Sequence, residues 1–466
     1  MRKPLLFMAL LFAVPLFAQS PGPETTAAID SLFKTWQQPG HPGGVVGILQ
    51  DGKLVLSRAY GLASLEYEVP IDTATVFNVG SVSKQFTAFS IVLLAQQGKL
   101  SLDDDIRKHL PELPDFGSVI TLRHCLNHTS GMRNFQNLLA MAGWREGDAM
   151  TNADLLRYMS QQKELNFPTG SEFLYCNTGY NLMTEVVHRV TGETFIKWTK
   201  ANIFEPLGMH HTEYRDDLGK IYHKTATSYN KQPSGGFERP GEYWTYTGNG
   251  NVYTTLSDLA KWTDNFRTHL LGGAAAIDML TQRALLNNGD TLDYALGIYN
   301  DHYKGLQRRQ HGGAVGGYRA SLQYFPDQRC GILVLTNFSS SDPGTKSNQV
   351  ADIWLKPYLK PKPAQETEHQ AIVAPSGAPP GLEEISGVYY SPELHTSYTF
   401  RAVDNRVVVS HARHLEFPMF PAPGDLLRSF SPIFTEVKIE RDAAGIVTGF
   451  LASNGRVRNL WFEKRE

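Results

Sequence analysis

The placement of β-rich runs along the chain constrains the fold most. GGVVGILQ and KLVLSRAYG flank Asp51-Gly52, a dipeptide suited to a tight two-residue turn, and so read as a hairpin. Strand patterns return only much later, in YALGIYN, GGYRASLQYFP and CGILVLTNF. A short helical stretch, roughly 25–38, precedes the hairpin. In between, ITLRHCLNHTSGM, TNADLLRYMSQQ, GYNLMTEVVHRVTGETFIKWTKANIF and TLSDLAKWTDNF place apolar residues at three- and four-residue intervals, the period of amphipathic helices. Two early strands and three late ones predict an α+β domain whose single antiparallel sheet of five strands is built from both ends.

Residues 356–381, KPYLKPKPAQETEHQAIVAPSGAPPG, are proline-rich and poor in apolar side chains, which marks a linker. Beyond it, ISGVYYSPE, TSYTFRAVD, NRVVVSHA, FTEVKIERD and GIVTGFLAS alternate between turn residues. Residues 382–466 therefore read as a small all-β, barrel-like domain.

At the other end, MRKPLLFMALLFAVPLFAQS has a basic head, an apolar stretch and a small residue, Ala18, before Gln19. Residues 1–18 read as a signal peptide and predict export to the periplasm or medium. No later segment reaches the ~18 apolar residues of a bilayer-spanning helix, so no transmembrane segment is expected in the mature chain. A formal net charge of −2 over 466 residues, with no basic run, argues against a nucleic-acid partner. Cys125, Cys176 and Cys330 are too few for a disulfide framework; one bridge can form in an exported protein, with buried free thiols the bland reading.

The chemistry concentrates in three places. Ser81-Val-Ser-Lys84 opens a helix whose continuation, TAFSIVLLAQQGKL, is too apolar to be exposed. At helical pitch Ser81 and Lys84 share a face, and the helix N-terminus favours negative charge developing at Ser81. A desolvated Lys84 has a lowered pKa and can accept the serine proton. Ser83 receives no role. Tyr175-Cys-Asn177 sits just before a helix that runs to about Gly192. A phenol there, beside an ammonium, can be held partly ionised and relay a proton, and the amide can hold a substrate carbonyl. His311-Gly312-Gly313, at an expected strand start, leaves backbone bare for a substrate. The amide of Ala314 can pair with that of Ser81 as an oxyanion hole. Each motif alone has a bland alternative: a chance S-x-x-K, a core tyrosine with a capping asparagine, a glycine-rich hairpin.

Taken in order, S-x-x-K, Y-x-N and H-x-G resemble the serine β-lactamase and penicillin-binding-protein superfamily, in its class C β-lactamase and DD-carboxypeptidase branch. LNHTSGM (126–132), EPLGMHHT (205–212), GNGNVYTTLSDLAKW (248–262) and YALGIYN (294–300) extend the resemblance over about 30–350. It implies a β-lactamase-like fold over 25–355, with a five-stranded sheet flanked by helices and a helical subdomain. It also implies Ser81 as acylated nucleophile, Lys84 and Tyr175 as proton carriers, and the Ser81 and Ala314 amides as oxyanion hole. Asn177, His311, Gly312 and Gly313 would bind substrate, and no cofactor is called for.

One departure stands out. The third motif of β-lactamases and carboxypeptidases starts with lysine, and His311, with an ordinary pKa of about 6.5, is mostly neutral at pH 7. That leans the expectation from β-lactams towards D-amino-acid peptides, amides or short esters. A zinc hydrolase built on His124 and His128 is the enzyme rival, but Cys125 stands where the metalloprotease motif has glutamate. A catalytically dead sensor is the other rival, yet both Ser81 and Lys84 are kept.

Overall fold

The computed structural model describes residues 21–145, 147–360 and 379–465. The expected signal peptide, 1–18, and most of the expected linker, 356–381, lie outside them. Helix α1 (Pro23–Leu32) leads into the hairpin of β1 (Gly44–Gln50) and β2 (Lys53–Tyr60). Asp51 and Gly52 both adopt positive φ, +50° and +83°, as the two-residue turn demands. The chain continues through α2 (Lys84–Gln96), α3 (Asn177–Thr191) and α4 (Leu256–Thr268). It then forms β3 (Tyr299–Tyr303), β4 (Leu306–Val315), β5 (Tyr318–Phe325), β6 (Cys330–Thr336) and α5 (Pro343–Trp354).

The two ends of this region meet in one antiparallel sheet of order β3-β4-β5-β6-β1-β2. It has six strands rather than the expected five. The extra one is β4, LQRRQHGGAV, whose charged and glycine residues show no apolar alternation. Main-chain pairing to β5, and over its first half to β3, holds it instead. His311 consequently lies within a strand, not at its start.

Alternation along β1 sorts the core. Val46 and Ile48 pack with Ile29 of α1, Phe33 just past its end and Val350 of α5. Val45 and Leu49 face the opposite cluster, which holds Phe86, Phe89, Leu256 and Trp262. A Cβ on Gly47 would lie 2.8 Å from the Leu256 side chain, so glycine lets α4 settle on the sheet. Helix α2 is buried from Lys84 to Leu94, which accounts for its apolar run.

The C-terminal strands, Gly387–Ser391 through Val457–Arg465, close into an eight-stranded barrel. Tyr389, Tyr398, Phe400, Phe434, Phe450 and Phe462 pack against one another inside it. The barrel seats on the helical region. Tyr398 Oη donates to the Met141 carbonyl (2.9 Å) and Arg413 pairs with Asp148 (2.8 Å). Arg133, 0% exposed, reaches Glu393 (2.8 Å) and the carbonyls of Arg458 (3.3 Å) and Asn459 (3.2 Å). All three cysteines are free and buried. Among the described residues no helix is long and apolar enough to cross a membrane.

Candidate active site

Ser81 lies on a single 3-10 turn, Gly80–Ser83, that runs straight into α2. The turn is fixed from both sides. Asn78 Oδ1 accepts from the Gly80 amide (2.9 Å), and Ser83 Oγ accepts from the Val252 amide (3.0 Å). The Ser83 carbonyl accepts from Tyr214 Oη (2.8 Å), so the second hydroxyl residue of the tetrapeptide is an anchor. Gly80 has φ +51°, and a Cβ there would sit 2.6 Å from the Ala314 amide nitrogen. A Cβ on Gly313 would overlap the Val79 carbonyl and lie 3.1 Å from the Ser81 nitrogen. Two glycines thus let β4 press against the turn, bringing the Ser81 and Ala314 amides together.

Lys84 is fully buried, and its Nζ lies 3.1 Å from Ser81 Oγ and 2.8 Å from the Asn249 carbonyl oxygen. The ring centroids of Tyr175 and Tyr180 are 4.9 and 5.3 Å from the amine. Its acceptors are neutral. Burial pushes the ammonium well below its usual pKa, and the nearby Arg456 charge pushes the same way. The amine therefore releases its proton more readily than an exposed lysine, beside the Ser81 hydroxyl.

Tyr175 and Asn177 reach the same wall through the turn that starts α3. Asn177 is the first residue of that helix; its amide donates to Asn134 Oδ1 (2.8 Å) and its Nδ2 to Gln136 Oε1 (2.9 Å). Its Oδ1 is buried without a partner among the described residues. The Tyr175 phenol lies beside the Ser81 hydroxyl, but burial raises its pKa well above the ordinary value. Partial ionisation, expected from the lysine neighbour, is therefore overturned: desolvation outweighs the attraction of cations that the phenolate would gain. The phenol keeps its proton.

His311 is buried, with Nε2 3.1 Å from Tyr294 Oη and Nδ1 2.6 Å from the Gly312 carbonyl oxygen. Burial, then the charge of Lys84, pushes its pKa down to about 3. The imidazole is neutral across the physiological range, through burial rather than through its ordinary pKa. Gly312 and Ala314 are exposed along the edge of β4 that β3 leaves uncovered.

The zinc rival dissolves in the geometry. His124 Nδ1 accepts from the Thr121 amide (3.2 Å) in a helix cap, and His128 lies past that helix, with its Nδ1 accepting from the Cys176 amide (3.1 Å). Sequence reasoning missed Asn134, Gln136, Asn249, Tyr294 and Arg456. Arg456 comes from the turn joining the last two barrel strands, and its guanidinium carbon lies 5.0 Å from the Tyr175 ring centroid. Only the packing of the barrel reveals it. Asn249 lies inside GNGNVYTTLSDLAKW, Tyr294 opens YALGIYN and Asn134 stands two residues past LNHTSGM, so these three had a sequence signal.

Residues 29–353 match the β-lactamase family model. The chain belongs to the β-lactamase family. Among curated relatives of this family member, a D-aminopeptidase of Cereibacter sphaeroides is 27% identical over 70% of the chain and 61% of that protein's length. The chain thus spans less than two thirds of that relative. Penicillin-binding protein 4* of Bacillus subtilis is 28% identical over 66% of the chain and 71% of its own length. The octameric penicillin-binding protein homologue from Pyrococcus abyssi superposes with a TM-score of 0.62 at 20% identity, covering 95% of this chain and 99% of that one, barrel included. A D-amino acid amidase from Ochrobactrum anthropi SV3 superposes at 0.61 and 19% identity, over 71% of this chain and 99% of its own. At these identities the two structures establish the fold, a β-lactamase-like domain with, in the first, a matching C-terminal unit.

Proposed function

We propose that this protein is an exported serine hydrolase that works through an acyl-enzyme on Ser81. Its substrates are D-amino-acid peptides or amides, or short esters, rather than β-lactams. Residues 25–355 form the hydrolase unit and 382–466 the accessory barrel. The observation that carries the reading is Lys84, buried, without an anionic partner among the described residues and 3.1 Å from Ser81 Oγ.

In the first step Ser81 Oγ bonds to the substrate carbonyl carbon and its proton passes to neutral Lys84. The amides of Ser81 and Ala314 receive the oxyanion. The Tyr175 phenol, protonated and beside Ser81, delivers a proton to the departing nitrogen or oxygen as its bond to the carbonyl breaks, and is reprotonated by Lys84. Water then cleaves the Ser81 ester. Asn177, with Gln136, lines the side where the acyl amide lies, and Gly312 and Ala314 offer main-chain partners.

His311 brings no charge to hold a substrate carboxylate. Arg456 offers a guanidinium whose planar fork of N–H donors matches a carboxylate. Its side chain makes no hydrogen bond or ion pair among the described residues. This favours peptides that keep a free carboxylate near the scissile bond. The D-aminopeptidase and D-amino acid amidase among the similar proteins support the D-amino-acid end of the range.

Incubation with a fluorophosphonate and with a fluorescent penicillin, followed by intact mass, tests the reading. An adduct that maps to Ser81 is expected with at least one probe, and no adduct with either would overturn it. A panel of D-amino-acid amide, D-Ala-D-Ala peptide, nitrophenyl ester and nitrocefin then ranks substrates, with nitrocefin expected last.

A further inference from the structure

The stretch LNHTSGM belongs to none of the three motifs, yet its histidine lies at their meeting point. His128 takes φ +64°, a left-handed conformation that is strained for most side chains, and its ring is 1% exposed. Three contacts tie it to the Tyr175 turn. Its carbonyl accepts from the Leu174 amide (3.0 Å), Nδ1 accepts from the Cys176 amide (3.1 Å), and its ring centroid lies 4.2 Å from that of Tyr175. Its ring also packs on Tyr180 at 5.2 Å and Tyr294 at 4.7 Å. Tyr180 covers the Lys84 amine and Tyr294 bonds His311, so His128 touches the support of every motif.

We propose that His128 is a positioning residue: as a neutral, Nε2-protonated imidazole it clamps residues 174–176 and sets the Tyr175 ring over the Lys84 amine. The inference rests on the proton-transfer roles proposed for Lys84 and Tyr175. An imidazole can accept at Nδ1 only while that nitrogen lacks a proton, so the Cys176 bond selects the tautomer. Burial above all pushes the pKa of the ring well below its ordinary value, and the Arg456 charge pushes the same way, which preserves the acceptor. Leu174 and Cys176 flank Tyr175 in the chain, so bonds to both of their amides fix the backbone on each side of the phenol. Neither bond touches the reacting atoms.

The test compares His128→Asn, His128→Leu and Tyr175→Phe with wild type, using a nitrophenyl ester and following kcat, KM and Tm. Asparagine keeps a side-chain acceptor and tolerates positive φ, whereas leucine fills space without accepting. A misplacement of about 1 Å costs up to about 100-fold in rate. His128→Leu should therefore lower kcat by about 10- to 100-fold with KM within about two-fold, and His128→Asn should recover most of it. On a Tyr175→Phe background, His128→Leu should add little further loss. Wild-type kcat in His128→Leu, or an Asn variant as poor as Leu, overturns the clamp. A harmless Tyr175→Phe instead sinks the catalytic reading beneath it. If neither histidine variant folds, 15N-histidine spectra of the wild-type protein decide: an Nε2–H tautomer across pH 5–9 is expected, and an Nδ1–H tautomer refutes the clamp.

Discussion

Lys84 Nζ stands 3.1 Å from Ser81 Oγ, and the charge that adds to burial in lowering its pKa is another cation, Arg456, with no carboxylate paired to the amine among the described residues. This is a costly arrangement for a folded protein and a useful one for removing a proton. Replacing Ser81 with alanine should lower kcat by about 10⁴-fold or more, and Lys84→Met by about 10³-fold, in a nitrophenyl ester assay. Retained activity in either variant would remove the mechanism.

Lys84→Met should at the same time stabilise the fold. The native lysine, its pKa lowered from the ordinary 10.5, binds fewer protons than the unfolded one between the native pKa and 10.5. Stability therefore rises with pH across that window, and at neutral pH the lysine is a net cost. Methionine fills similar volume without it. Thermal melts at pH 7 should show a higher Tm for Lys84→Met, and a melt no higher than wild type would contradict the inferred desolvation. The acid limb of kcat/KM should likewise fall well below pH 10.5.

His311 predicts a second pH dependence, of the same sign. Its pKa is about 3 in the native state against 6.5 unfolded. Between those values the unfolded chain binds more protons, so stability is lost as pH falls from 6.5 towards 3. His311→Gln should flatten that part of the stability profile. Urea midpoints at pH 4 and pH 7 measure it, and an unchanged difference between the two would count against a buried neutral imidazole.

Arg456 should matter for substrates that carry a carboxylate. A charge-assisted hydrogen bond contributes about 1.5–3 kcal/mol, so Arg456→Ala should raise KM for a D-Ala-D-Ala peptide by about 10- to 100-fold. The KM for a neutral D-amino-acid amide should move far less. Equal changes for both substrates would assign Arg456 to packing on Tyr175 alone.

The Arg133–Glu393 pair ties the barrel to the segment that holds Asn177. Both side chains are nearly sealed from solvent, at 0% and 4% exposure. Removing one partner of such a pair costs about 3–5 kcal/mol, because the other charge stays buried alone. Glu393→Ala should destabilise by that order in urea titrations, while Arg133→Met with Glu393→Met should recover much of the loss. A neutral single variant would mean that water reaches Arg133 freely.

The helical period of the middle region, the Asp51-Gly52 turn and the alternating C-terminal runs were all legible, since local periodicity reports which face of an element is buried. Strand β4 was not, because neighbours rather than side chains hold it in place. Ser81, Lys84, Tyr175, Asn177 and His311 could be named from ordered motifs; Lys84 meets Ser81 and Tyr175, the Tyr175 and His311 rings lie 6.1 Å apart, and Asn177 follows Tyr175 at the start of α3.

What the sequence determined by itself was the chemistry on offer: a hydroxyl one helical turn from an amine, a phenol before an amide, and glycines where two backbones must touch. Tertiary structure decided how that chemistry is tuned. Burial pulls the Lys84 pKa well down, sets His311 neutral and keeps Tyr175 protonated, against the expectation of a partly ionised phenol, because desolvation depends on everything packed around a group. Arg456 and His128 enter the cleft from a barrel turn and a left-handed bend, contacts that no local pattern encodes.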